Sequence, residues 1–186
     1  MRRFILTGTP GSGKTALIRQ LQLEGFGVVE EAATDVIAAA HANGLEEPWR
    51  NPQFIETITE LQRSRQVSAS SLPGEVQFHD RSVVCTAALA KYLAYPIPRQ
   101  LTDELSRIVD EAVFERQVFF IRNLGFIAPT AARRISFEES LRFEQIHEDT
   151  YRSLGFELLF IDPGPLPDRL GAILRHVRAL IEAPVN

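Results

Sequence analysis

The sequence predicts a three-layer α/β domain, with helices on both faces of a five-stranded, mostly parallel sheet. Three observations carry this reading. Five short apolar runs punctuate the chain, and longer segments with helical periodicity separate them. That is the pattern of consecutive βαβ units with right-handed crossovers. The runs FIL, VFFI and LLFI are almost continuously apolar, as strands buried on both faces are. Finally, 186 residues, 45% hydrophobic and 24% charged, suffice for one well-buried core and fall short of two, so residues 1–186 are read as one domain.

The elements follow in order. RRFILTG reads as a first strand, followed by glycines and a helix from about Lys14 to Glu24. GFGVVEE is a second strand ending in acid, and Ala32 to Ala42 a helix closed by Asn43-Gly44. Pro52 opens a helix to about Ser70, which Ser71-Leu72-Pro73-Gly74 ends. EVQFHD is a third strand, and Val83 to Leu93 a helix. After the break Tyr95-Pro96-Ile97-Pro98, Thr102 is expected to cap a helix reaching Phe114. QVFFIRNL is a fourth strand. Ser136 with Glu139 forms a capping box for a helix from Phe137 to Leu154. FELLFI is a fifth strand, and Pro167 to Ile181 a last helix.

In such sheets ligands bind beyond the carboxyl ends of the strands. There, between the first strand and its helix, Gly8-Thr9-Pro10-Gly11-Ser12-Gly13-Lys14-Thr15 matches G-x-x-x-x-G-K-[ST] at every fixed position. The glycines let the backbone wrap closely and turn its N–H groups toward phosphate oxygens, and the helix adds its positive end at Ala16. Lys14 is expected to reach the β- and γ-phosphates and Thr15 to ligate Mg²⁺. Lys14 is one of two lysines, beside Lys91, in a chain with 18 arginines. At the end of the third strand stands Asp80. It is placed to hold Mg²⁺, to take a proton from an attacking hydroxyl, or to cap the next helix. Arg81 beside it is a candidate clamp on substrate or phosphate.

Composition narrows the classes. A net charge of −4 and a pI near 5.6 give no global attraction to nucleic acid or anionic membrane. One cysteine, Cys85, excludes an internal disulfide and any zinc site built on several thiolates. The four histidines show no metal-ligand spacing, and His79 is expected to face away from Asp80. No run reaches membrane-spanning length and MRRFILTGTPG lacks the apolar core of a signal peptide, so the expectation is a cytoplasmic protein. An N-K-x-D guanine-reading motif and an LSGGQ-like segment are both missing, which favours ATP and disfavours a switch GTPase or a transporter ATPase.

The glycine loop, the acid ending the second strand and Asp80-Arg81-Ser82 together carry a resemblance. With them the chain resembles the nucleoside and nucleotide kinases of the P-loop NTPase superfamily. It is most similar to the small AAA-type ATPases related to the ribosylnicotinamide-kinase domain, from Phe4 to about Val177. That family has an E-x-A-R-like segment after strand two. Here Glu30-Glu31-Ala32-Ala33-Thr34 keeps the acid and alanine, with Thr34 where arginine is expected. The resemblance implies a kinase-like form of the fold with an arginine-bearing lid, read at 123–136. Arg133 or Arg134 of that lid would neutralise the transferring phosphoryl group, Arg134 being favoured, with Arg142 assisting. It implies further that the turn Ile161 to Pro165 lies beside the nucleotide base. The acceptor would lie under the helices between strands two and three, among Glu30, Glu31, Trp49, Arg50, Phe54, Arg63 and Arg65. Glu31 would accept from a hydroxyl there, while Trp49 and Phe54 would stack on a ring or pack in the core, and Arg63 and Arg65 do not share a helix face.

The expected activity is transfer of the γ-phosphoryl group of Mg-ATP to a small acceptor such as a nucleoside or nucleotide. Lys14, Asp80 and Arg134 would catalyse it, Gly8 to Ala16 would hold the nucleotide, Thr15 and Asp80 the metal, and Glu31 and Arg81 would meet the substrate. The second reading is an ATPase acting as a regulatory or binding module for a protein partner.

Overall fold

The structure, a computed structural model, describes residues 1–71, 74–124 and 136–182. Its strands are β1 (Arg2–Thr7), β2 (Gly27–Val29), β3 (Val76–Asp80), β4 (Gln117–Ile121) and β5 (Glu157–Ile161). The helices are α1 (Lys14–Leu23), α2 (Ala32–Ala42), α3 (Gln53–Ala69), α4 (Val83–Tyr92), α5 (Arg99–Asp110), α6 (Phe137–Ser153) and α7 (Leu166–Glu182). A single 3₁₀ turn at Pro48–Arg50, which the sequence pattern did not reveal, precedes α3. All four strand pairings are parallel, in the order β2-β3-β1-β4-β5.

Alternation along the strands divides the core. Phe4, Leu6, Phe78, Phe119 and Ile121 pack toward α1 and α7. Ile5 and Val118 face the other layer, where α4 is buried nearly all round against Leu101 and Ile108 of α5 and Tyr151 of α6. Each such large apolar side chain stabilises the fold by roughly 1.5–3 kcal/mol through burial. A smaller cluster of Ala32, Phe54 and Ile58 joins α2 to α3.

One element starts earlier than expected. α5 begins at Arg99 with Pro98 at its N-cap position, and Thr102, expected to cap it, lies inside the helix, where its hydroxyl donates to the Pro98 carbonyl at 3.3 Å. Proline's fixed φ and missing N–H suit a helix start, so the Pro98 signal overrides the hydroxyl. The helix also ends at Asp110 rather than Phe114, because Ala112 takes a left-handed φ of 46°. The Ser136–Glu139 capping box is present, and Ser82, rather than Asp80, caps α4.

Two histidines are buried neutral. His79 shares a sheet face with Gln77, whose Oε1 lies 2.9 Å from its Nε2, and its ring meets Phe114 edge-on. His147 is fully buried on α6, with Nδ1 donating to the Phe143 carbonyl at 2.9 Å. Burial, aided by Arg3 for His79 and by Arg81 for His147, pushes both down to about 3 from 6.5. Below pH 6.5 the unfolded chain therefore binds protons that the folded one refuses, and stability falls with pH until about 3. At pH 5 each histidine is expected to cost about 2 kcal/mol relative to pH 8. Urea unfolding at the two pH values should show this, and His79→Gln or His147→Gln should each remove its own share of the loss.

Candidate functional site

The loop between β1 and α1 owes its shape to three glycines at positive φ: Gly8 at 131°, Gly11 at 87° and Gly13 at 83°. Gly8 passes so close to β4 that a Cβ there would lie 2.3 Å from the Ile121 carbonyl oxygen. Gly13 caps α1 in the left-handed conformation, and the first turn of the helix has neither an acid nor a side-chain cap. Its N–H groups thus face the cleft carrying the positive end of the helix dipole.

Lys14 is buried among acceptors of this loop. Its Nζ donates to the Gly8 carbonyl at 2.8 Å, the Thr9 carbonyl at 3.0 Å and Ser12 Oγ at 3.3 Å. Burial first, and then Arg81, lower its pKa to about 8, although Asp80 and Glu31 pull the other way. A cleft of about 630 Å³ is lined by Gly11, Gly13, Lys14, Thr15, Ala16 and Asp80, together with Glu31 and Arg81. Gly8, Thr9 and Ser12 lie under the loop instead, buried.

Asp80 ends β3 and Arg81 follows it directly, its N–H extending the ladder by donating to the Leu6 carbonyl at 3.0 Å. Arg81 sits at φ 72°, a conformation that costs a non-glycine residue about 1–3 kcal/mol and is tolerated only where the surroundings enforce it. Its Nε lies 2.5 Å from Glu31 Oε1. Burial raises the Glu31 carboxyl, but Arg81, Lys14 and the Thr34 hydroxyl, which donates to Oε2 at 2.9 Å, hold it below the usual carboxylate range. Thr34, the departure from the family pattern, therefore orients Glu31. The turn itself is clamped by Arg65, which donates to the Glu31 carbonyl at 2.7 Å and pairs with Asp35. Arg63 points away, to Glu104 at 3.6 Å.

Asp80 carries a buried Oδ1 with no hydrogen-bond partner. Burial raises its pKa, with Lys14 opposing and Glu31 adding to the rise. Asp80, with its orphaned carboxylate oxygen, lines the same cleft as the exposed Thr15, and a carboxylate with a hydroxyl is a donor set that fits a hard cation such as Mg²⁺. Among the described residues no cluster of three or more His, Cys, Asp or Glu is placed to hold a metal.

A second cavity, about 320 Å³, opens on the other side of Pro10. Trp49, Phe54, Leu89, Tyr92 and Phe143 supply its apolar walls, and Gln62 and Thr86, hydrogen-bonded to each other at 2.6 Å, a polar spot. Glu31 and Arg81 line this cavity as well as the first, so the two meet at that ion pair, whereas Asp80 lines only the first. Trp49 and Phe54 are thus wall residues, Phe54 packing also into the α2–α3 cluster.

Arg133, Arg134 and most of the expected lid lie outside the described residues, and Arg142 is exposed on α6. The turn after β5 leads into α7, whose Arg169 is buried and donates through Nη2 to the Ser12 carbonyl at 2.8 Å. This support of the loop was not read from the sequence. Its signal was an arginine on the apolar stripe formed by Leu166, Ile173 and Val177. Also unread was a buried knot in which Tyr151 Oη lies 3.0 Å from Ser82 Oγ and 3.1 Å from Cys85 Sγ, with Cys85 in turn 3.1 Å from Thr7 Oγ1.

Fold and site together define a P-loop NTPase of kinase-like architecture. The chain belongs to the AAA domain family whose model, AAA_28, matches residues 3–169. No curated protein sequence matches it. Among solved structures it is similar to deoxyadenosine kinase from M. mycoides with the products dCMP and dCDP bound. The TM-score is 0.65 at 12% identity, over 95% of this chain and 99% of that one. It is also similar to NadR protein in complex with NAD and AMP-PNP, with a TM-score of 0.69 at 15% identity over all of this chain. The match spans about half of the NadR chain, 51%. Among the described residues no helix is long and apolar enough to cross a membrane.

Proposed function

We propose that this protein transfers the γ-phosphoryl group of ATP to a hydroxyl of a small acceptor seated in the 320 Å³ cavity. One observation carries the reading: the Glu31–Arg81 pair stands on the wall that this cavity shares with the phosphate-loop cleft. A group bridging two such sites meets both reactants of a transfer. The acceptor hydroxyl gives its proton to the Glu31 carboxylate as its oxygen bonds the γ-phosphorus and the bond from phosphorus to the departing ADP oxygen breaks. Arg81 keeps Glu31 ionised and faces the charge that develops between the two cavities. Lys14 neutralises phosphate oxygens at the loop. Thr15 and Asp80 would hold Mg²⁺, which supplies further charge neutralisation when bound. This reading gives the proton to Glu31 and the metal to Asp80, since of these two only Glu31 lines the acceptor cavity.

The test is ADP release from Mg-ATP across a panel of nucleosides, nucleotides and ring-bearing alcohols. One member should accelerate it sharply, and Glu31→Gln should cut that acceleration by about 10²–10⁴-fold, the usual worth of a general base, with ATP binding kept. Asp80→Asn should instead raise the Mg²⁺ concentration needed. Tight ATP binding with slow turnover that no acceptor accelerates would overturn the reading in favour of the regulatory module.

A further inference from the structure

One buried carboxylate near the site is used by none of this chemistry. Glu144, on α6, is 5% exposed and turns toward the phosphate loop. Its Oε2 accepts from the hydroxyl of Thr9, itself fully buried, at 3.4 Å. Its Oε1 accepts from Arg122 Nη1 at 3.0 Å. The same guanidinium reaches Glu148 at 3.0 Å and lies 4.0 Å over the Phe160 ring, and Arg152 holds the other oxygen of Glu148 at 3.0 Å.

Thr9 is a sensitive point to hold. Its carbonyl accepts from Lys14 Nζ at 3.0 Å and from the Ser12 N–H at 3.3 Å, so the set of its peptide governs where the ammonium and the loop backbone point. A carboxylate beside an anion-binding loop would by itself repel phosphate. The guanidinium of Arg122 is what removes that penalty, and its stacking on Phe160 fixes it there.

We propose that Glu144 is a positioning residue for the phosphate loop, acting through Thr9, and that Arg122 is the counter-charge that makes a carboxylate tolerable there. This rests on the reading that the loop binds ATP phosphates. The roles differ from those of Lys14 or Arg81, because neither Glu144 nor Arg122 lines the phosphate cleft.

The experiment measures the affinity of the whole chain for Mg²⁺–AMP-PNP by calorimetry, with unfolding curves for every variant. Thr9→Val and Glu144→Ala are each expected to raise Kd about 10-fold, and their combination no further, because both cut one connection. Arg122→Gln strands the Glu144 charge and should raise Kd by about as much, and adding Glu144→Gln should bring Kd back toward the wild-type value. A general packing defect would not be rescued in this way. Wild-type affinity in Glu144→Ala, or additive effects of Thr9→Val and Glu144→Ala, overturns the proposal. So does failure of Glu144→Gln to rescue Arg122→Gln. If Arg122→Gln does not fold, the Thr9–Glu144 arm decides alone. Binding by the wild type with loss in Lys14→Met shows that the nucleotide reading stands whatever Glu144 does, and a wild type that binds no AMP-PNP overturns that reading and the proposal with it.

Discussion

Gly8→Ala is expected to destabilise the fold by about 4 kcal/mol or more, enough to unfold most small domains. Two costs act together. The backbone at Gly8 has φ 131°, where an L side chain is strained, and the new Cβ would lie 2.3 Å from the Ile121 carbonyl oxygen. That oxygen belongs to a strand inside the sheet, so it cannot step aside as a flexible side-chain tip would. Gly25→Ala is the matched control. Gly25 also has a positive φ, 90°, but a Cβ there would meet nothing within 4 Å, so only the backbone cost of about 1 kcal/mol remains. Chemical denaturation followed by circular dichroism separates the two. A Gly8→Ala protein with the wild-type midpoint would show that the loop and β4 are not closely apposed at Ile121.

Lys14→Met is expected to weaken Mg-ATP binding and turnover by about 100- to 1,000-fold, the scale on which an aimed charge matters in a preorganised site. It should also change how stability depends on pH. Burial holds Lys14 down to about 8 in the folded protein, against 10.5 in an unfolded chain. Between those values the unfolded chain binds a proton that the folded one has released, so wild-type stability rises as pH climbs from 8 to 10.5. The gain is about 3 kcal/mol relative to Lys14→Met, whose methionine does not titrate. Urea unfolding of both proteins at about pH 7.5 and about pH 10.5, on either side of that window, measures it. Parallel curves across that range would mean that Lys14 is well solvated in the folded state.

What could be read from the sequence was whatever depends on neighbours along the chain. The glycine-lysine loop, the Ser136–Glu139 box and the apolar strands announce themselves because a turn, a cap or a buried run is decided within a few residues. α5 misled because two local start signals, Pro98 and Thr102, compete within one turn. The 320 Å³ cavity was legible only in part, through Glu31, Trp49 and Phe54, for a different reason. Its walls come from the phosphate loop, α2, the 3₁₀ turn, α3, α4 and α6, so Trp49, Gln62 and Phe143 meet only in three dimensions. Glu31 and Arg81 were legible as polar residues at strand ends, but their pairing across two loops was not. Arg169 and Glu144 look like surface charges in a chain rich in arginine and glutamate, and only tertiary packing buries them against the loop.

The strand order has a consequence for how the protein is made. β1 leaves the ribosome before the other four strands yet sits at the centre of the sheet, and its two partners, β3 and β4, begin at Val76 and Gln117. For much of synthesis the nascent chain therefore carries this central strand, with Phe4, Ile5 and Leu6 fully buried in the finished fold, unpaired on both edges, the kind of segment that chaperones shield. The phosphate loop is likewise encoded early and finished late. Gly8 needs Ile121 to close over it, and the Ser12 carbonyl waits for Arg169, 157 residues downstream. A nascent chain thus lacks the Arg169 support of its phosphate loop until α7 has emerged.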